Sequence, residues 1–310
     1  MKTPPKPFLV LGALLFIQFC FGSNYVISKL VVGEFHPLVW ASIRILISTV
    51  VMFLVCFLSG RTRPPIKREY ILPLVGLACL GTIFNQVCFL LGLRLTTSVN
   101  SAVINTLIPV MTLILVTMRG QEKLTWVKGL GFFLAFAGVL VIRPIEQVSF
   151  SNATFLGDLL TATSCFLYAC FLSYGKPWMA KMDSLWLTAY LFFIGSIGIS
   201  LMALPYWAEM SWPEMTTSLW GATGFAILFG TLTPYFLSFW VLKHAEPSKV
   251  ALYIYVQPVI TSLIAWRWFD ESVNFRKGLA ASFIFSGMLI AFSRYAQPKR
   301  SRKMEKEIQP

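Results

Sequence analysis

Acidic side chains are scarce in this chain, and none lies in the middle of a long apolar stretch. Its 310 residues include 13 aspartates and glutamates, 26 lysines and arginines, and only two histidines. The acidic residues fall between apolar stretches or at their ends. Because the chain lacks a central carboxylate pair and a histidine beside a buried serine, it lacks the groups of an intramembrane hydrolase. We therefore predict no catalytic residue and no enzyme.

Metal ligands are scarce as well. All six cysteines fall within apolar stretches, where they act as small packing residues, and His36 and His244 are far apart in the sequence. We therefore expect no metal ion and no cofactor. The formal net charge of +13 does not indicate nucleic acid binding, because no basic domain interleaved with aromatic residues accompanies it.

Long apolar stretches occupy most of the chain. Apolar residues make up 56% of the composition and charged residues only 13%, which leaves no polar surface for a soluble protein. A helix crosses the hydrocarbon core of a bilayer with about 20 apolar residues. We predict an all-α membrane protein with ten transmembrane helices, at 8–32, 37–58, 70–93, 98–118, 126–142, 155–175, 184–204, 219–242, 248–268 and 277–294.

The two halves of the chain repeat one another without a gap. Gly81 aligns with Gly230, and Pro109 aligns with Pro258 at the same offset. Five helices in each half is an odd number, so the second half enters the membrane from the opposite side and runs inverted. Inverted repeats provide two conformations of similar energy, as alternating access in a secondary transporter requires.

The predicted organisation has three parts. Residues 1–147 form the first five-helix repeat, residues 148–296 form the second, and residues 297–310 form a basic cytoplasmic tail. Most lysines and arginines fall on the side of the N-terminus, so both termini of this multi-pass protein are predicted to be cytoplasmic.

Two prolines lie at matching positions in the middle of predicted helices four and nine. Pro109 and Pro258 remove the backbone hydrogen bonds to the carbonyls of Asn105 and Ile254. A freed carbonyl at membrane depth is tolerated where protein or a wet cavity satisfies it, so paired breaks indicate a binding site. The alternative is that the prolines only shape the helices for packing.

Polar and aromatic side chains on the predicted helices are candidate ligands for a small-molecule substrate. They offer hydrogen bonds and aromatic walls on the faces that cannot point to lipid: Gln18, Tyr25, Asn85, Asn105, Tyr168, Tyr253 and Gln257. Further polar residues on these helices, such as Gln86, Tyr235 and Ser238, are interpreted mainly as contacts between helices.

Two basic residues within the predicted helices are candidate charge contacts. Lys29 continues the polar stripe of Gln18 and Tyr25 on the first helix, and Arg44 lies seven residues into the second. A charge at the bilayer centre costs about 2.5–3.5 kcal/mol on insertion scales, so such residues usually have a function. Arg44 either ties helix carbonyls together or contacts an anion, and the sequence leaves both alternatives open.

Several motifs together resemble the EamA-type transporters of the drug/metabolite transporter superfamily. The resemblance covers nearly the whole chain and is carried by Gly22-Ser23-Asn24-Tyr25, Pro37 with Arg44, Thr96-Thr97-Ser98, Pro109 with Glu122, and Pro258 with Glu271. It implies ten helices in an inverted five-plus-five repeat, a location in the bacterial inner (plasma) membrane, and export of amino acids or related metabolites. It also implies a central cavity lined by helices one, three, four, six, eight and nine.

The leading hypothesis is a secondary transporter that exports small polar metabolites such as amino acids across the cytoplasmic membrane. One alternative is an exchanger of anions or phosphorylated metabolites that uses Lys29 and Arg44, and another is a membrane scaffold that does not transport. The expected partners are a small-molecule substrate and the lipid bilayer, and a homodimer is compatible with the sequence.

Overall fold

Helices make up almost all of the described structure. The computed structural model describes residues 7–60, 62–64, 67–96, 98–142, 152–269 and 275–293. These residues contain no β-strand, and their helices are α1 (Pro7–Glu34), α2 (Pro37–Leu58), α3 (Arg68–Ala78), α4 (Phe84–Leu95), α5 (Ser98–Ile104), α6 (Leu107–Met118), α7 (Trp126–Ile142), α8 (Asn152–Lys181), α9 (Ser184–Trp207), α10 (Thr217–Ile227), α11 (Thr233–His244), α12 (Pro247–Leu252), α13 (Gln257–Phe269) and α14 (Phe275–Phe292). The predicted tail 297–310 and Glu271 lie outside the described residues.

Seven helical segments are long and apolar enough to cross a membrane. They are Phe8–Glu34, Pro37–Leu58, Arg68–Leu95, Ser101–Met118, Phe155–Met179, Ser184–Trp207 and Thr217–His244. Each coincides with one of the predicted transmembrane helices to within a few residues at its ends. Two shorter apolar segments, Trp126–Gly138 and Ser282–Ala291, lie within two further predictions. The protein is therefore a helical membrane protein.

Helix ends follow local sequence signals. Pro37 and Pro247 begin α2 and α12, a position where the missing amide proton costs nothing. The Asp183 side chain accepts a hydrogen bond from the Leu185 amide at 3.0 Å and caps α9. Past the ends of α2 and α6, the chain turns at Gly60 and Gly120, whose φ angles of 62° and 64° suit glycine.

A π-helical turn occurs in each half of the chain, at the repeated motif of Gly81-Thr82 and Gly230-Thr231. The turn Cys79–Ile83 joins α3 to α4, and the turn Leu228–Leu232 joins α10 to α11. Glycine is required at Gly81 because a Cβ there would lie 2.4 Å from the Phe171 ring. The turn also leaves carbonyls without their usual amide partners, and the Gly81 carbonyl accepts from the Tyr235 hydroxyl at 3.1 Å.

The two prolines lie just inside new helices rather than within continuous ones. Pro109 is the third residue of α6, which follows a break at Asn105 and Thr106, and Pro258 is the second residue of α13. In the first turn of a helix the amide proton has no partner to lose. The Asn105 carbonyl, predicted to be free, accepts a hydrogen bond from the Ile108 amide at 3.1 Å.

The closest helix packing joins α7 to α14. A Cβ on Gly131 would lie 2.6 Å from the Gly287 carbonyl oxygen, and a Cβ on Gly287 would lie 2.6 Å from the Gly131 carbonyl oxygen. Only small residues allow two membrane helices to approach in this way. None of the described side chains of these two helices lines the cavity that is described below.

Candidate substrate cavity

A central cavity, of about 720 Å³ with the space open to solvent included, lies between helices from both halves of the chain. Its polar lining comes from α1, α2, α4, α8, α11 and α13 and from the break before α6: Gln18, Asn24, Tyr25, Arg44, Asn85, Gln86, Asn105, Ser164, Tyr168, Tyr235, Ser238 and Gln257. Its apolar lining includes Phe21 and Phe89. An apolar and aromatic lining with a few placed polar groups is typical of a small-molecule site.

Six of the seven predicted substrate ligands line this cavity. They are Gln18, Tyr25, Asn85, Asn105, Tyr168 and Gln257. The seventh, Tyr253, is buried but does not line it, because it begins the 3-10 turn Tyr253–Val256. A 3-10 turn advances by about 120° per residue rather than 100°, which changes the direction of side chains relative to a continuous α-helix.

A chain of hydrogen bonds joins α1 to α13 along the cavity. The Tyr25 hydroxyl donates to Gln257 Oε1 at 2.9 Å, and Gln257 Nε2 donates to Gln18 Oε1 at 2.6 Å. The helices are close here because Gly22 has no Cβ, which would lie 2.9 Å from Ile260. Three predicted residues thus form one network across the two halves of the chain.

Two asparagines are held in place at other points of the cavity lining. Asn85 Nδ2 donates to the Ser164 carbonyl at 2.8 Å and joins α4 to α8. Asn105 Nδ2 donates to the Ser101 carbonyl, also at 2.8 Å, across the break before α6. Both donations hold an amide group in place, so the two side chains present oriented polar atoms at the cavity wall.

Arg44 reaches the cavity from α2 and is only 2% exposed. Its Nη2 donates to Gln86 Oε1, Gln86 Nε2 donates to the Tyr235 hydroxyl, and that hydroxyl donates to the Gly81 carbonyl. Arg44 Nη1 is buried without a hydrogen-bond partner. No aspartate or glutamate is among the described residues that line the cavity, so neutral groups alone surround the guanidinium.

Lys29 lies outside the cavity lining. Its Nζ donates to the carbonyls of Leu93 and Thr96, both at 2.7 Å, at the C-terminal end of α4. Lys176 does the same for α11, because its Nζ donates to the Leu242 carbonyl at 2.6 Å and to the Ala245 carbonyl at 2.5 Å. Each ammonium group thus satisfies carbonyls that the end of a helix leaves unpaired. Of the two predicted charge contacts, only Arg44 faces the cavity.

Gln86 and Tyr235 also line the cavity, although their sequence pattern mainly predicted contacts between helices. The two residues do make such a contact. A signal was present, because they are 149 residues apart, which is the offset of the repeat. Polar residues at equivalent positions of two inverted halves are expected to meet near the axis between them.

A second polar cluster ties the connection after α6 to the start of α12. Glu122 accepts hydrogen bonds from the Ser248 amide, at 3.1 Å, and from the Ser248 hydroxyl, and it pairs with Lys128. Glu122 is 8% exposed. Among the described residues, no group of three histidine, cysteine or acidic side chains could hold a metal ion.

A helical membrane protein with a polar cavity between its halves, and without catalytic groups in the described lining, has the architecture of a transporter. The model of the EamA-like transporter family matches residues 8–143 and 155–293. The chain therefore belongs to this family, whose relatives below are named as transporters and not as enzymes.

Similar proteins cover more than nine tenths of the chain. It is 25% identical over 293 residues to the uncharacterized transporter YyaM of Bacillus subtilis, covering 93% of this chain and 94% of that protein. It is 23% identical over 300 residues to the uncharacterized inner membrane transporter YedA of Escherichia coli K12, covering 93% and 92%. A crystal structure with a TM-score of 0.74 and 14% identity covers 96% of this chain and 98% of its own, which shows a shared fold.

Proposed function

We propose that the protein is a secondary transporter that exports small polar metabolites, such as amino acids, across the cytoplasmic membrane by alternating access. The observation that supports this most is the cavity whose polar lining comes from both halves of the chain. A scaffold without transport would gain nothing from a cavity with oriented amides, hydroxyls and a guanidinium at membrane depth. The inner membrane location follows the name of the relative YedA.

The proposed architecture is ten transmembrane helices in two inverted five-helix repeats, residues 1–147 and 148–296. Two structural features that occur once in each proposed repeat support this architecture. The π-helical turns Cys79–Ile83 and Leu228–Leu232 occupy the same position in each repeat. Lys29 and Lys176 each support the end of the helix that contains such a turn. With this topology, both termini and the tail 297–310 would be cytoplasmic.

The proposed substrate-binding residues are those that line the cavity. Gln18, Tyr25 and Gln257 form one polar wall, and Asn85 and Asn105 form another. Tyr168 supplies an aromatic ring to the lining, while Tyr253 would act only by shaping the turn before Gln257.

The Glu122 cluster is proposed as a contact that closes the cytoplasmic side. The topology places Glu122 and Ser248 on that side, and their hydrogen bonds fasten α12 to the connection after α6. Val250 of α12 lines the cavity, so moving α12 away from Glu122 would open a path to it. Alternating access would require this contact to break in each cycle.

The exchange of phosphorylated metabolites is less favoured. A phosphate monoester carries nearly two negative charges at neutral pH, and such an exchanger was expected to use both Lys29 and Arg44. Lys29 is engaged with carbonyls at the end of α4, so only Arg44 remains for the ligand.

The test compares metabolites released by cells that produce the native protein or its Gln257→Ala variant at equal membrane abundance. We expect one or a few compounds to accumulate in the medium only with the native protein. Thr163→Ala is the matched control, because Thr163 is exposed on α8 and bonds only to the Leu159 carbonyl. Equal export by the native and Gln257→Ala proteins would refute the site, and no export by either would refute the function.

A further inference from the structure

The charge of Arg44 is not balanced by any acidic group in the described cavity lining. Arg44 is the one charged residue among the described lining residues. Its guanidinium is bonded to Gln86, and Nη1 has no partner. Burial of a cation among neutral groups is unfavourable unless something supplies the missing charge. We propose that the substrate supplies it, and that this transporter carries organic monoanions whose carboxylate binds Arg44.

The inference rests on the proposed transport function and narrows its substrate class. Export of small polar metabolites would be consistent with neutral, zwitterionic or anionic compounds. The environment of Arg44 distinguishes between them, because a transport site is expected to complement the charge of its ligand.

The position of Arg44 is fixed before the substrate arrives. Gln86 accepts from Nη2 and is itself held by the Tyr235 hydroxyl, which bonds to the Gly81 carbonyl. This chain orients the planar guanidinium and leaves Nη1 for a ligand. The unpartnered N–H groups of Nη1 are suited to a charge-assisted hydrogen bond with a carboxylate oxygen.

The number of charges favours a monoanion. The ammonium groups of Lys29 and Lys176 are bonded to carbonyls at the C-terminal ends of α4 and α11, so the described lining offers one positive charge. A doubly charged phosphate would remain half neutralised. An amino acid would bring an ammonium group as well as a carboxylate, and the described lining offers that group only neutral acceptors.

Aromatic rings favour an apolar body on the same ligand. Phe21, Tyr25, Phe89 and Tyr168 line the cavity together with Arg44. Tyr25 and Phe89 meet edge to face with ring centroids 5.7 Å apart, and Phe21 meets Tyr235 in the same way at 6.3 Å. The substrate class is therefore a carboxylate attached to an apolar group, such as an aromatic or branched aliphatic acid.

The test uses ligands that share a body and differ in charge. Purified full-length protein in lipid nanodiscs is titrated with phenylacetate, phenylglycine, phenylacetamide and benzylamine, which are anionic, zwitterionic, neutral and cationic. A second set is isovalerate, valine, isovaleramide and isobutylamine. In at least one set, we expect the anion to bind at least about tenfold more tightly than the amide, with the zwitterion between them. Equal binding of anion and amide in both sets, or no binding of either anion, would overturn the proposal.

Variants of Arg44 add a second readout. Arg44→Gln removes the charge and should abolish the preference for the anion over the amide. Arg44→Lys keeps a charge but loses the planar fork, so it should retain a weaker preference. Lys29→Gln is the control, because Lys29 lies outside the cavity lining and its loss should leave the preference unchanged. An anion preference that survives Arg44→Gln would refute the proposal. If Arg44→Gln does not fold, the relative affinities of the native protein for the anion and the amide still test the proposal.

Failure of this inference can be told from failure of the proposed function. Export that depends on Gln257 but concerns only neutral or zwitterionic compounds would support the transport function and refute the proposed monoanionic substrate. Absence of export by both the native protein and the Gln257→Ala variant would refute the transport function itself.

Discussion

Gln86 and Tyr235 lie 149 residues apart and are joined by a hydrogen bond from the Gln86 amide to the Tyr235 hydroxyl. They occupy equivalent positions in the sequence repeat, and their contact lies beside Arg44 in the wall of the cavity. The same two residues therefore connect the halves of the chain and position the one charged group of the described lining.

Removing the Tyr235 hydroxyl tests this connection. Tyr235→Phe deprives Gln86 of its acceptor and the Gly81 carbonyl of its donor, and it should lower the free energy of unfolding by about 1 kcal/mol. Thermal unfolding in detergent measures the change. In a double-mutant cycle with Gln86→Leu, the two effects should be less than additive. Strict additivity would show that the pair does not stabilise the protein.

Replacement of Lys29 should lower the stability of the protein and leave its ligand preference unchanged. Lys29→Met removes hydrogen bonds to the carbonyls of Leu93, Arg94 and Thr96, which should cost about 1.5–3 kcal/mol because the donor is charged. Lys123→Met, at an exposed position, is the control and should change stability little. Loss of substrate binding with unchanged stability in Lys29→Met would instead place Lys29 at the site.

Two neighbouring glycines on α7 should respond in opposite ways to alanine. Gly131→Ala forces a Cβ to within 2.6 Å of the Gly287 carbonyl oxygen, whereas a Cβ on Gly129 has its nearest neighbour at 3.9 Å. We expect Gly131→Ala to destabilise the protein by about 1–3 kcal/mol, as overpacking does. Gly129→Ala should be neutral or slightly stabilising, since alanine favours helix over glycine. Equal melting temperatures would refute the close contact of α7 and α14.

Ser248→Ala should loosen the proposed cytoplasmic contact. The substitution removes the hydroxyl that bonds to Glu122 but keeps the Ser248 amide, which donates to the same carboxylate at 3.1 Å. We expect faster hydrogen exchange in α12, with exchange in α7 unchanged. Ser282→Ala is the control, because Ser282 is exposed and bonds only to its own helix at Gly278. Unchanged exchange in α12 would show that Glu122 does not hold this helix closed.

His36, between α1 and α2, should make stability depend on pH. Burial lowers its pKa below the ordinary value of 6.5, the charge of Arg94 lowers it further, and Glu209 opposes this change. The ring stacks on Tyr206 with centroids 4.1 Å apart. Because the folded pKa is depressed, the unfolded chain binds the proton more readily, and stability falls as pH falls through 6.5 toward the folded pKa. His36→Gln should flatten the melting temperature between about pH 7 and pH 5, and an unchanged slope would exclude His36 as the cause.

The sequence predicted the long helices well because their signal is local. An apolar run such as 37–58 must be helical in a bilayer, where every backbone group needs an internal partner. The π-helical turn at Gly81 was not predicted, because the reason for it lies elsewhere in the chain: the Phe171 ring and the Tyr235 hydroxyl meet that turn. Helix type follows from such contacts between distant segments.

The cavity residues were predictable to the extent that each lies on a regular helix. Gln18 and Tyr25 share a face of α1, and that face meets the cavity. Lys29 continues the same face by spacing, but it bonds to carbonyls at the C-terminal end of α4, which are more than 60 residues away in sequence. Tyr253 was displaced by a 3-10 turn. In both cases the deciding contact or turn cannot be deduced from the periodicity of one helix.

A π-helical turn accommodates one extra residue in a helix. Deleting one residue within Cys79–Ile83 would restore a regular helix and rotate everything after it by about 100°, which would carry Asn85 and Gln86 away from the cavity. The turn Leu228–Leu232 has the same relation to Tyr235. Both turns lie at the repeated motif of Gly81-Thr82 and Gly230-Thr231. If the two proposed repeats arose by duplication, one insertion in their common ancestor would account for both turns, and the shape of the cavity would be older than the duplication.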